Sequence, residues 1–284
     1  MTTRRQLLLG TLGAVVTPLA EASAARRRFA AIEAGVGGRV GVFALDTGNG
    51  RQLACRPDER FAMCSTFKWV LAAAVLAAAE RAQLALDDQL TYSWSDLLEY
   101  APTTRAHAAE GFMSVAALAQ AAVTVSDNTA ANLLLAKIGG PSVLTQLARS
   151  LGDDASRFDR TEPSLNSNEP GDSRDTTTPR AMVGLMQQIL CGNALSLASR
   201  DRLLGWLREC ETGKDRLRAG LPKEWIVGDK TGTGRRGAAN DIAIAFPPGR
   251  APILIAAYLS DGPAERSHLT AAHASIARVV AREF

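Results

Sequence analysis

The stretch "GRVGVFALDTGNGRQLAC", residues 38–55, alternates its side chains around the turn "TGNG" and reads as a β-hairpin. Outward from it, the far end of the chain carries three more β-rich segments: "EWIVGDKTGTG" at 224–234, "NDIAIAFP" at 240–247 and "PILIAAYLSD" at 252–261. Strands therefore lie at both ends. Between them the pattern is helical over 65–82, 114–123, 128–138, 141–151, 180–191 and 196–209. Glycine or proline punctuates several boundaries, and Ser114 and Ser142 fit as helix caps or near-caps. The simplest architecture closes the terminal strands into one five-stranded antiparallel sheet, flanked by the first and last helices, with a helical domain inserted. The expected division is an α/β domain built from 25–60 and 211–284 and a helical domain over 61–210.

One stretch resists this order. Residues 152–178, "GDDASRFDRTEPSLNSNEPGDSRDTTT", hold no apolar period and are rich in Asp, Asn, Ser and Pro, so they form a long loop inside a compact protein. Loops of this length are usually functional or disordered. Arg160 and Asp175, near its two ends, are placed to pair and close its neck, which argues for order.

At 46% hydrophobic and 21% charged residues, the 284-residue chain has the composition of a packed globular protein. Its formal charge is only +3 and its arginines are scattered, which points to neither nucleic acid nor an anionic membrane as partner. The basic run at 26–28 reads as solvated surface. The amino terminus, "MTTRRQLLLGTLGAVVTPLAEASA", has a basic start, an apolar stretch too short to span a bilayer of about 30 Å, and a small-residue cleavage signature at 22–24. Residues 1–24 thus read as an export signal. Arg4-Arg5 is similar to a twin-arginine signal, with an ordinary secretory signal as the alternative. The expected destination is the periplasm of a Gram-negative bacterium, with no membrane attachment after cleavage. Cys55, Cys64, Cys191 and Cys210 follow no metal-ligand spacing, and His107, His268 and His273 do not cluster with them. No metal, no cofactor and no obligatory disulfide are expected, and the chain is expected to be a monomer.

The chemistry begins at "CSTFKW", residues 64–69, which heads the apolar run "WVLAAAVLAAAERAQ". Residues three apart on a helix have Cβ atoms roughly 5–6 Å apart, so Ser65 and Lys68 can touch. A free serine hydroxyl is a poor nucleophile and needs a base. None of the three histidines has a suggestive setting, which brings lysine into consideration. With five lysines and seventeen serines, random placement would give ~0.3 Ser-x-x-Lys matches, so this one alone is a weak signal.

It does not stand alone. Ser65-Thr66-Phe67-Lys68, then Ser126-Asp127-Asn128, then "RTEPSLN" at 160–166, then Lys230-Thr231-Gly232 follow one another in the order and approximate spacing that resembles the class A serine β-lactamases. The resemblance extends over nearly the whole chain after residue 24 and includes "SDNTAANLLL" and "GDKTGTG". It implies the serine β-lactamase/DD-peptidase-like fold, a small-molecule β-lactam as substrate, and resistance to such antibiotics as the outcome. It further implies that Ser65 attacks the lactam carbonyl and that Lys68 shares in its activation. The main-chain N–H groups of Ser65 and Thr233 would hold the oxyanion. Glu162 would be the base for deacylation, with Asn166 positioning its water. Ser126 would relay a proton to the leaving nitrogen, and Asn128 would bind the substrate's side-chain amide. Whether Lys68 or Glu162 takes the proton in acylation is left open. Asp127 reads as a helix cap and Asn132 as a support of the Glu162 loop.

Lys230, Thr231 and Thr233 lie on an edge-like strand suited to a substrate carboxylate, with Gly232 and Gly234 allowing close approach of ligand to backbone. Many relatives place an arginine on the neighbouring strand, where this chain has Ala239; Arg216, in "KDRLRAGLP", falls where other relatives supply a substitute guanidinium. Tyr100 matches a cleft-wall aromatic. In carbapenem-hydrolysing relatives a cysteine before the nucleophile is bridged to one after the Lys-Thr-Gly strand; this chain has Cys64 but Gly234 opposite, so that bridge cannot form. The alternatives are a penicillin-binding DD-peptidase or a β-lactam sensor of the same fold, which would acylate but release slowly. Glu162 and Asn166 on the long loop are the features that distinguish a hydrolase from them.

Overall fold

The computed structural model describes the backbone of residues 18–284 and the side chains of residues 24–284. The export-signal reading of residues 1–24 therefore lies outside the described side chains, Ala24 excepted. Along the chain, α1 (Pro18–Val36) leads into the hairpin β1 (Arg39–Asp46) and β2 (Gln52–Cys55), then the short β3 (Phe61–Ala62) and α2 (Phe67–Glu80). The helical block continues with β4 (Gln89–Thr91), α3 (Pro102–Ala106), β5 (Phe112–Ser114), α4 (Val115–Thr124), α5 (Asn128–Ile138) and α6 (Pro141–Ser150). After the long loop come β6 (Thr176–Thr177), α7 (Pro179–Met186) and α8 (Leu197–Arg208). The chain closes with β7 (Ile226–Thr233), β8 (Ala239–Phe246), β9 (Ile253–Ser260) and α9 (Arg266–Glu283).

The five long strands form one antiparallel sheet in the order β2-β1-β9-β8-β7, so the two ends of the chain share it. β9, "ILIAAYLS", is buried along its whole length, as its near-continuous apolar run requires of a central strand covered on both faces. Its alternation divides the core. Leu254, Ala256 and Tyr258 join the side chains of the helical block, whereas Ile253, Ile255, Ala257 and Leu259 meet α1 and α9. α2 runs through the helical core with every residue from Phe67 to Ala78 buried, which explains a sequence so poor in charge.

Some local readings change. The helix expected over 65–82 begins with a 3-10 turn at Cys64–Thr66, and only then becomes α-helical. Ser114 caps α4 by accepting from Ala117 N at 3.2 Å, but Ser142 caps nothing: α6 starts after Gly140 with Pro141 in its first turn. The small ladders β3–β6 and β4–β5 were not visible as strands, because two or three residues carry no period. Among the described residues no helix is long and apolar enough to cross a membrane. All four cysteines are free thiols.

Candidate active site

The turn that carries Ser65 is held from behind by β8. Asn240 Nδ2 donates to the carbonyls of Ala62 at 2.8 Å and Met63 at 3.0 Å, while Thr66 Oγ1 donates to Met63 O at 2.8 Å. Cys64 adopts a left-handed φ of +47°, a local cost of about 1–2 kcal/mol that the anchored turn absorbs. Lys68 then rises from the first turn of α2 with its Nζ 3.1 Å from Ser65 Oγ. The same ammonium donates to Ser126 O at 2.8 Å and Asn128 Oδ1 at 2.5 Å, and pairs with Glu162 Oε1 at 2.9 Å. Complete burial pulls the Lys68 pKa down, and the charge of Glu162 opposes that shift.

Ser126 also has a left-handed backbone, φ +63°, which lets its carbonyl and its hydroxyl both face Lys68. The next residue fixes this geometry: Asp127 caps α5 through Ala130 N at 2.9 Å and accepts from Thr103 N and Thr104 N at 3.0 and 2.9 Å. Asn128 N donates to Tyr100 O at 3.0 Å, which pins the loop bearing the half-exposed Tyr100 ring to the cleft wall.

The long loop is held by contacts at its neck, to α5 and within itself. Arg160 pairs with Asp175 at 2.5 Å across its neck. Asn132 brackets the Glu162 backbone, donating to its carbonyl at 2.9 Å and accepting from its N–H at 3.0 Å. Asn166 Nδ2 donates to Glu162 Oε2 at 2.5 Å. The Glu162 carboxylate thus has one oxygen on Asn166 and the other facing Lys68 and the Ser65 hydroxyl, which donates to it at 3.1 Å.

On the opposite wall, β7 is the edge strand. Lys230 Nζ donates to Ser126 Oγ at 3.1 Å and to Thr231 O at 2.8 Å, and burial lowers its pKa to about 8, with the Lys68 charge adding to the shift. Arg216, only 8% exposed, donates to Gly232 O at 2.8 Å, Asn240 O at 2.6 Å and Thr233 Oγ1 at 2.7 Å. Ala239 is paired in register with Thr233, so β8 offers only a methyl group there, and Arg216 brings its guanidinium to the same end of β7 from outside the sheet.

Gly232 lines the cleft, as the sequence suggested, and both glycines also serve the packing of the backbone. A Cβ on Gly232 would lie 2.7 Å from Met63 O and 3.1 Å from Ser65 N, and one on Gly234 would lie 2.6 Å from Cys64 Sγ and 2.8 Å from Asn166 O. Their bare backbone lets β7 press against the Ser65 turn and the long loop, which is packing of protein on protein. Burial pushes the Cys64 thiol up to about 12, so it stays protonated behind the nucleophile.

An open cleft of about 720 Å³ joins these walls, lined among others by Ser65, Tyr100, Ser126, Asn166, Arg216 and Thr231. Lys68, Glu162 and Lys230 lie just beneath its floor, fully buried or nearly so. All of the site residues singled out from the sequence are therefore brought to one place.

Comparison with known proteins agrees with this geometry. Residues 24–284 match the Beta-lactamase enzyme family. The chain is 48% identical to Beta-lactamase L2 of Stenotrophomonas maltophilia, over 95% of this chain and 89% of that one. It is 45% identical to the carbapenem-hydrolyzing beta-lactamase KPC of Klebsiella oxytoca, over 88% and 86%. Among solved structures, an ancestral (GNCA) class A β-lactamase superposes with a TM-score of 0.90 at 51% identity, covering 92% of this chain and all of that one. The chain belongs to the class A β-lactamases.

In this β-lactamase three contributors to the site escaped the sequence reading. Asn240 holds the backbone leading to Ser65, Thr212 Oγ1 lies 2.5 Å from Thr231 Oγ1, and Asp229 accepts from Arg218 Nε at 2.9 Å directly behind Lys230. Asn240 and Thr212 have no local signal, since each acts on a segment distant in the chain. Below them sits Asp241, whose carboxyl is raised well above the usual range by burial and by the neighbouring Asp229.

Proposed function

We infer that this enzyme hydrolyses the β-lactam ring of penicillins and cephalosporins through an acyl-enzyme on Ser65, and so protects its host from them. The observation that carries the reading is the triangle of Ser65 Oγ, Lys68 Nζ and Glu162 Oε1, with sides of 3.1, 2.9 and 3.1 Å. Ser65 Oγ attacks the lactam carbonyl and passes its proton to a base within this triangle. The main-chain N–H groups of Ser65 and Thr233 receive the oxyanion; the absence of a Cβ at Gly232 is what lets β7 approach Ser65 closely enough. Ser126, whose hydroxyl lies between the Lys230 and Lys68 ammonium groups, hands a proton to the departing nitrogen. Arg216, Lys230, Thr231 and Thr233 take the substrate carboxylate, while Asn128, whose Oδ1 is occupied by Lys68, presents its amide N–H₂ to the substrate side chain beside Tyr100.

Glu162, oriented by Asn166 and Asn132, then activates the water that cleaves the ester. That step separates a hydrolase from a DD-peptidase or sensor. Residues 1–24 would direct export to the periplasm, where such substrates arrive. The test is purified protein mixed with benzylpenicillin and with a chromogenic cephalosporin. Many equivalents opened per enzyme support the reading. One equivalent bound covalently, with no further turnover, would favour the peptidase or sensor instead.

A further inference from the structure

Between α8 and β7 the chain passes directly behind the carboxylate end of the cleft. Gly213 is pressed so tightly on β7 that a Cβ there would lie 1.7 Å from Asp229 Oδ2, and Glu211 N donates to Thr124 O at 2.9 Å. Thr212, between these two fixed points, is thus held rigidly. Its side chain lines the cleft, with Oγ1 2.5 Å from Thr231 Oγ1 on one side and 3.4 Å from the buried Cys210 Sγ on the other.

The ligand decides which way the hydrogen between the two threonines points. A carboxylate bound at Thr231 can only accept. Burial raises the Cys210 thiol to about 11, so at neutral pH it keeps its S–H, but that one proton also has the Asp229 carboxylate as an acceptor, so the Cys210 contact sets no direction for Thr212. With the ligand end set, the Thr231 hydroxyl gives its one proton to the carboxylate, so the 2.5 Å contact is closed by the Thr212 hydroxyl donating to Thr231 Oγ1.

We propose that Thr212 is a positioning residue for recognition of the substrate carboxylate: it occupies the acceptor side of Thr231 Oγ1 and leaves that hydroxyl's single proton for the ligand. This deepens, and rests on, the reading that Thr231 meets a carboxylate. Without Thr212 Oγ1 the Thr231 hydroxyl loses the partner that fixes its rotation.

The experiment compares Thr212→Val, nearly isosteric but without the hydroxyl, and Thr212→Ser, which retains it, on benzylpenicillin and on its methyl ester. For the acid, Thr212→Val is expected to raise KM about 3- to 10-fold with kcat within about twofold, the size of one lost hydrogen bond expressed in uniform binding. Thr212→Ser restores KM to within about twofold, and the ester, which presents no anion, shows no such difference among the three proteins. A KM for Thr212→Val equal to that of the parent, a Thr212→Ser no better than Thr212→Val, or an equal loss on the ester would each overturn the proposal. If the parent enzyme itself does not prefer the acid to its ester, the carboxylate reading fails and takes this one with it.

Discussion

Replacing Glu162 by Gln keeps the shape of the side chain and removes its charge and its basicity. The carboxylate stands 2.9 Å from Lys68 Nζ, and at an effective dielectric of about 20 that separation corresponds to a gross attraction of about 6 kcal/mol, much of which desolvation takes back. Leaving a buried ammonium wholly unpaired costs about 3–5 kcal/mol. Here Lys68 retains Ser126 O and Asn128 Oδ1 and can also lose its proton, so a stability loss of about 1–3 kcal/mol is expected. The chemistry divides more sharply. With the Glu162 charge gone, nothing comparable opposes the burial that already lowers the Lys68 pKa, so neutral Lys68 becomes commoner and remains 3.1 Å from Ser65 Oγ. Acylation through Lys68 therefore survives. Deacylation loses its general base, a deficit of about 10²- to 10⁴-fold. Rapid mixing with benzylpenicillin, acid quench and intact-mass spectrometry should show nearly every molecule carrying one antibiotic, whereas the parent enzyme shows little. An unmodified Glu162→Gln protein that still turns over would refute the assignment of the deacylating base. An unmodified and inactive protein that retains its fold would show instead that Glu162, not Lys68, takes the Ser65 proton.

Three further outcomes follow from buried charges beneath the cleft. Lys230 must be an ammonium to attract a carboxylate, and burial has brought its pKa down to about 8, so KM for benzylpenicillin should rise as pH passes upward through about 8, while Lys230→Arg should keep its charge and lose that limb; a flat profile to about pH 9.5 would contradict this. For stability the sign is the reverse, because the folded state sheds this proton before the unfolded one does, and resistance to urea gains from Lys230 between about pH 8 and the ordinary lysine range. Asp241, with Oδ2 accepting from Leu217 N at 3.0 Å and Oδ1 without a partner, is raised well above the usual carboxylate range, chiefly by burial. Its folded state keeps a proton that the unfolded chain gives up, so it makes stability fall with rising pH by up to about 1.4 kcal/mol per unit. Asp241→Asn should flatten that slope in urea unfolding measured between about pH 4.5 and 7, and an unchanged slope would reject the argument.

What could be read in advance, and what could not, follows the distance over which each residue acts. The strands β1, β7, β8 and β9 announce themselves because alternation or a continuous apolar run is a property of eight consecutive residues. Ser65 and Lys68 are legible because a helical turn alone brings them within reach, and Asp127 because a cap acts on the residues just after it. Glu162, Asn166 and Arg216 were reached only through resemblance, since no period places a loop carboxylate beside a serine 97 positions away. Asn240 and Thr212 had neither kind of signal. Each reaches back to a segment that folding alone brings near: Asn240 to the backbone of Met63 and Thr212 to the hydroxyl of Thr231. The glycines make the same point in reverse. Read locally, Gly232 and Gly234 leave room for a ligand; in the fold Gly232 does line the cleft, while the side on which a Cβ would stand is taken by Met63 O at Gly232 and by Cys64 Sγ and Asn166 O at Gly234. A side chain at either position would push apart the edge strand, the Ser65 turn and the loop carrying Glu162. The geometry of this site thus depends as much on where atoms are missing from β7 as on the groups it presents.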